Sequence, residues 1–361
     1  MTAPIRVGFI GLNPDSNWAA TAHIPALRSL GDSFEITGVA NSTPESGRKT
    51  AQALGLKHAF DTPADLVRSP DIDLVTVTVK VPYHFELVSQ ALEAGKHVYC
   101  EWPLGNGLEE ARKLATMAAE RNLVAVTGTQ ARAALEIRHL RKLIADGYVG
   151  DVLSTTIVGS GGNWAYQTNA ALYYLFDKTN GATMLDIPMA HTLAALQDVL
   201  GRFDVLKATM MSNFDTVTVT DTGEKKPKTA ADQIMMQGRL ASGGALAVHY
   251  RGGISKGTNL LWEINGTEGD IQVTADLGHA QMAQLHIKGA RGQQSEMADL
   301  MPDASLYNGQ PDFAGARNVA GIYAMLARDI QEGTSTAPSF QDAVALHEIL
   351  ARIETLAATD G

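Results

Sequence analysis

A chain of 361 residues has room for two domains of roughly 150 residues each, and at 45% hydrophobic and 19% charged it can fill their cores. A formal net charge of −10 argues against a nucleic-acid backbone as partner, and no apolar run is long enough to span a bilayer. The one cysteine, Cys100, excludes a disulfide within the chain; with no basic-then-apolar leader evident, the expected compartment is the cytoplasm.

The opening stretch, IRVGFIGLNPDSNWAATAHIPAL at residues 5–27, reads as strand, tight turn and helix. Free N–H groups at such a helix start suit an anion, above all a dinucleotide pyrophosphate. The glycine fingerprint is incomplete. Gly11 ends the strand, Leu12 follows, and Asn13 stands where the second glycine belongs. Residues 14–17 read as an insertion, and Ala19 and Ala20, just after Trp18, are small enough for the third glycine's packing role. The alternative is an ordinary strand-to-helix turn without a ligand.

A second strand is expected at 34–41 and a helix at 44–54. An acid at the end of this strand would hold a ribose 2′-hydroxyl. Asn41, Ser42 and Thr43 are neutral instead, with Arg48 and Lys49 just beyond, so a 2′-phosphate is tolerated and NADP(H) is favoured over NAD(H). The alternative for Arg48 and Lys49 is a solvated helix face. The β-branched run at 71–79, ending in Val79, suits a central parallel strand buried on both faces. Then come a helix at 85–93, a strand at 97–101, a helix at 108–122 and a strand at 123–128. Repeated alternation of strand and helix signals a doubly wound parallel sheet, which binds ligands at the carboxyl ends of its strands. The loops there are 11–18, 41–43, 80–84, 101–104 and 129–132.

After a helix at 134–146 the rhythm changes. Strands are expected at 152–158, 205–211, 233–240, 245–250, 260–264, 270–273 and 283–287, several separated by turns such as Asn265-Gly266. This predicts a mostly antiparallel sheet. One long helix at 186–200 interrupts it, residues 215–231 are expected to form a mobile loop, and helices at 318–331 and 341–357 close the chain.

The segments GFIGLN, HFELVSQALEAGKHVYCEWPL, Gln130-x-Arg132, GYVGDVLS and GATMLDIPMAH resemble the glucose–fructose oxidoreductase / inositol dehydrogenase family. GLNPDSNWAATAHIPAL, EWPL, GGNWAY and INGTEGDI are similar to one branch, that of the fungal galactose-regulon repressor. The resemblance covers nearly the whole chain. It implies a Rossmann domain at 1–132 that binds a nicotinamide dinucleotide, and a substrate-binding and oligomerisation domain at 133–361. It also implies two functions: hydride transfer between the cofactor and a sugar or polyol, or a catalytically silent, dinucleotide- and sugar-responsive regulator that binds a protein partner.

The resemblance assigns roles residue by residue. The family's Glu-Lys-Pro, whose lysine orients substrate, is here Glu101-Trp102-Pro103. A tryptophan cannot supply that charge, so ordinary family chemistry is in doubt. Glu101 matches the glutamate beside the nicotinamide ribose. Asp186 and His191 match the aspartate and the histidine base, with Asp186 as the base's partner, although five positions apart where the family interval is four; a histidine suits general-base work. Lys80 replaces the missing lysine, binds a phosphate, or is a solvated loop lysine. Trp18 and Trp102 stack over nicotinamide or a sugar face, or simply pack. Gln130 and His84 fall on the cofactor side and Arg132, Asn163, Trp164 and Tyr174 on the substrate side; packing is the alternative for Tyr174 and His84, as for His23 and His97. No metal motif appears. Apolar residues on both faces of the second sheet (Ile234 and Met236 against Met235) predict a homodimer or homotetramer.

Overall fold

The computed structural model describes residues 3–15 and 18–359, so part of the expected insertion at 14–17, Ser16 and Asn17, lies outside the described residues. The chain opens with β1 (Ile5–Ile10), a π-type turn (Ala19–His23) and α1 (Ile24–Ser29). There follow β2 (Phe34–Ala40), α2 (Pro44–Leu54), β3 (His58–Ala59), α3 (Pro63–Arg68), β4 (Leu74–Val77), α4 (His84–Glu93), β5 (His97–Glu101), α5 (Leu108–Glu120) and β6 (Ala125–Gly128). The central strands β1 and β4 and the strand β6 are short and almost wholly buried, as such apolar runs require. Thr43 caps α2 through Ser46 N, and Gly55 at φ 66° ends it. The strands form one parallel sheet in the order β3-β2-β1-β4-β5-β6. The order reverses between β1 and β4, which is where a doubly wound sheet opens its ligand crevice.

The second half runs α6 (Leu135–Ala145), β7 (Val152–Ser160), β8 (Gln167–Thr168), α7 (Ala190–Leu200), β9 (Phe203–Met211), β10 (Thr216–Val219), β11 (Glu224–Pro227), β12 (Gln233–Leu240) and β13 (Ala245–Arg251). Next are β14 (Leu260–Gly266), β15 (Gly269–Ala275), β16 (His286–Arg291), β17 (Ala298–Asp299), α8 (Ala314–Glu332) and α9 (Phe340–Thr359). Eight strands form the sheet β17-β16-β15-β14-β7-β13-β12-β9, antiparallel except for β7 with β13. The architecture is therefore the expected one: a Rossmann-type parallel sheet followed by a mostly antiparallel sheet.

Three local readings are corrected. Residues 215–231 are not a mobile loop: β10 and β11 pair as a hairpin, and β10 also pairs with β8. The alternating TVTV of β10 carried that signal, and the charges of Lys225 and Lys226 masked it. Behind the hairpin Lys228 is buried and bonds Asp232 at 3.0 Å and Ala230 O at 2.6 Å. The long helix at 186–200 starts as a π-type turn (Leu185–Met189) containing Pro188, because a proline has no N–H for the regular ladder. Finally, the chain forms two compact units, Met1–Gln130 with Gly309–His347, and Ala131–Asn308 with Glu348–Gly361. A single division at 132/133 misses this return. α8 belongs to the first unit because its buried Tyr323 bonds His23, and Thr127 N donates to Pro338 O.

Candidate functional site

In the first unit the turn after β1 is built around Gly11. Its φ is +97°, and a Cβ there would lie 2.6 Å from Val79 Cγ1. Only glycine fits. Thr78 Oγ1 donates to Gly11 O at 3.0 Å. Buried Leu12 has its carbonyl taken by Asn41 Nδ2 at 2.8 Å and Thr50 Oγ1 at 3.2 Å, so Asn41 holds the turn as well as ending β2. Asn13 is exposed and accepts from Asp15 N. Ser42 and Thr43 are exposed, and Thr43 is occupied as the α2 cap. The two cations expected to welcome a 2′-phosphate are ion-paired: Arg48 with Asp61 and Lys49 with Glu45, each at 3.0 Å. Trp18 lies edge-on to Phe313, with its Nε1 buried and unpartnered.

Beyond β4, Lys80 is exposed. His84 is enclosed by two carbonyls: Nδ1 lies 2.7 Å from Pro103 O and Nε2 2.9 Å from Val79 O, and a neutral ring donates to one of them. Burial pushes its pKa down, against the pull of those two carbonyls. It ties the loops after β4 and β5 together and offers no atom to a ligand, which corrects its expected cofactor role. Trp102 is 4% exposed and packs on His347, ring centroids 4.6 Å apart, so its ring is packed, not presented. At the end of β5, Glu101 Oε1 accepts from Gln130 Nε2 at 2.7 Å and from His23 Nε2 at 2.9 Å. Gln130 is fully buried, with Oε1 unpartnered.

In the second unit His191 lies on α7, 3% exposed, with Nδ1 buried and unpartnered. Burial, then the nearby His279, push its pKa down to about 3, so the ring is neutral at ordinary pH. Asp186 accepts from Thr183 N at 2.9 Å and Thr183 Oγ1 at 2.7 Å, not from His191 Nδ1. Burial pushes its carboxyl pKa up. The expected Asp186–His191 partnership is thus replaced by a helix-start bond, because five positions turn the two side chains to different faces. Trp164 is buried at φ 64°, a strained conformation for a bulky residue, and its Nε1 donates to Leu175 O at 2.9 Å. Its ring stacks on His279, whose Nε2 donates to Gly161 O at 2.5 Å. Asn163 accepts from Gly253 N through its carbonyl. Tyr174 is half-buried, with its pKa raised by burial. Arg132 is bonded to Asp198 at 3.2 Å.

Residues 5–129 match the oxidoreductase family with an NAD-binding Rossmann fold, and residues 136–275 match the C-terminal domain of Gal80p. The galactose/lactose metabolism regulatory protein GAL80 of Saccharomyces cerevisiae is 30% identical over 347 residues, 89% of this chain and 78% of that protein. The chain belongs to the glucose–fructose oxidoreductase family, in its Gal80-like branch. The structure of a super-repressor mutant of Gal80p from S. cerevisiae superposes with a TM-score of 0.91 at 27% identity, covering 99% of this chain and 97% of that one. Levoglucosan dehydrogenase of Pseudarthrobacter phenanthrenivorans is 25% identical over 249 residues, 64% of this chain and 63% of that enzyme.

Set beside the family pattern, the first unit fits a dinucleotide. The Gly11 turn would be filled by a Cβ, and Gln130 Oε1 and Trp18 Nε1 are buried polar atoms awaiting partners. Among the described residues no cluster of histidine, cysteine and carboxylates suits a metal ion. Sequence reading missed His279, which has no motif around it, and set His23 aside as packing. Only the fold brings the first beside Trp164 and the second to Glu101.

Proposed function

We propose that the chain is a nicotinamide-dinucleotide-dependent oxidoreductase acting on a sugar or polyol, with His191 as the proton acceptor. The observation that supports this reading most is the His191 ring itself: buried on α7 and without a partner on Nδ1. When bound, the nicotinamide ring supplies hydride exchange. His191 takes the hydroxyl proton. A neutral ring has a nitrogen lone pair free to accept that proton as the hydroxyl is oxidised. Lys80 and Asp186 are secondary: Lys80 stands exposed after β4, and Asp186 fixes the start of the helix that carries His191. Asn163, Tyr174 and the Trp164–His279 stack shape the sugar side.

NADP(H) keeps a modest preference, because no acid at Asn41, Ser42 or Thr43 repels a 2′-phosphate; the Arg48 and Lys49 ion pairs reduce it. Titration of both cofactors by tryptophan quenching checks this, and tighter NAD(H) binding reverses it. The second reading is a silent regulator that binds a protein partner. Trp102 in the lysine position favours it, as does the likeness to GAL80. The deciding assay offers NAD+ and NADP+ with a panel of sugars and polyols and follows the reduced cofactor. His191→Asn is expected to lower turnover by about 10²–10⁴-fold with cofactor affinity unchanged. A wild-type protein that binds cofactor and sugar but never reduces the cofactor is the regulator.

A further inference from the structure

We infer that His23 is a positioning residue for the cofactor's nicotinamide ribose, acting through Glu101; this rests on the dinucleotide reading above. The sheet order divides the dinucleotide. The Gly11 turn on β1 takes the pyrophosphate, the end of β2 the adenosine ribose, and the ends of β4 and β5 the other half. β5 ends at Glu101, whose side chain stays 14% exposed.

The orientation of that carboxylate is set from behind. A carboxylate only accepts, so His23 Nε2 must carry the hydrogen of the 2.9 Å bond to Glu101 Oε1. On its other side the ring's Nδ1 lies 2.9 Å from Tyr323 OH, which lies 3.1 Å from Thr76 Oγ1. Burial holds Tyr323 as a phenol. The run Thr76, Tyr323, His23, Glu101 is therefore one continuous hydrogen-bonded chain, assembled from β4, α8, the π-type turn and β5. His23 and Tyr323 are both fully buried, and their rings meet edge to face at 5.7 Å. Gln130 Nε2 pins the same Oε1 from another side. With both donors on Oε1, the carboxylate cannot rotate without losing two charge-assisted bonds. This explains a histidine in a buried site that packing alone would fill with leucine or phenylalanine.

The test is a binding cycle with NADH and ADP as probes, read by tryptophan quenching, with thermal melts alongside. ADP keeps the adenosine and the diphosphate but lacks the second ribose. His23→Asn should weaken NADH about tenfold and leave ADP within about twofold. In the Glu101→Gln background the same change should add less than about twofold, since its target is gone. His23→Gln, which restores a donor near the Nε2 position, should recover most of the affinity. Tyr323→Phe keeps the packing, covers the case in which His23→Asn does not fold, and should give a smaller NADH-selective loss that also vanishes beside Glu101→Gln. Equal losses for NADH and ADP, or losses that multiply with Glu101→Gln, mean that His23 only supports the fold and overturn the inference. A wild-type protein that binds ADP and NADH equally removes the ribose contact itself. One that binds neither overturns the dinucleotide reading together with the inference.

Discussion

Trp102 has the side chain least like its family counterpart, and the structure shows why a lysine cannot simply return. The ring is sealed against His347, whose own pKa burial pushes down to about 4. Trp102→Lys would set an ammonium against a buried imidazole and remove a large packed ring. Its expected cost is roughly 3 kcal/mol or more, from lost packing and charge burial together. Urea unfolding of the variant checks this; an unchanged midpoint with raised turnover would show that the pocket still accepts the family lysine. The roles that could be read in the sequence were those set by local spacing, such as Gly11 after a strand. His23 was not among them, because Glu101 and Tyr323 are 78 and 300 residues away in the chain. The Asp186–His191 pairing misled for the opposite reason: a matched motif suggested a contact that the one-residue change in spacing removes.

At the scale of elements, strand periodicity carried most of the fold. Ile234, Met236, Leu246 and Val248 are buried, while Ala245 and Ala247 are exposed and Met235 is half-buried, as alternation requires. The open face also carries Val158 paired with Leu261, with Thr156 and Glu263 one step along. The exposed Ala245 and Ala247 and half-buried Met235 put apolar groups on this face, which suits self-association. A homodimer or dimer of dimers through it is expected, and light scattering at micromolar concentration should return at least twice the chain mass; Val158→Lys should return the chain mass alone. The β10–β11 hairpin was hidden because its anchor is a buried charge pair, which hydropathy reads as solvated. Asp232 accepts from Asn213 N, Phe214 N and Lys228 Nζ. Asp232→Ala leaves the ammonium of Lys228 buried without its counter-charge, an expected loss of about 3–5 kcal/mol. Urea unfolding measures it, and a loss under about 1 kcal/mol would mean the hairpin is held by its strands alone.

Across the whole molecule, the buried histidines couple stability to pH. His191 and His347 are pushed down to about 3 and about 4, and His84 and His279 are lowered as well, each chiefly by burial. Unfolding returns these rings to water, where they titrate near ~6.5. Below that value the unfolded chain binds protons that the folded chain refuses. Stability therefore is fully present above about pH 6.5 and falls as pH drops toward the lowered values, by about 1.4 kcal/mol per unit for each such ring. Asp186 and Glu354 work the other way. Burial raises both, with the Asp186 charge adding to the shift at Glu354, so the folded chain takes up their protons first and gains stability on acidification. Their effect begins at their raised pKa values as the pH falls and opposes that of the histidines. Four lowered rings outnumber the two raised carboxyls, so the histidines set the sign. Urea midpoints measured at pH 7, 6 and 5 should fall steadily. His347→Gln, which keeps a polar side chain but takes up no proton, should flatten the slope by about 1.4 kcal/mol per unit. A slope that His347→Gln leaves unchanged would mean that this ring is charged or solvated in the folded protein.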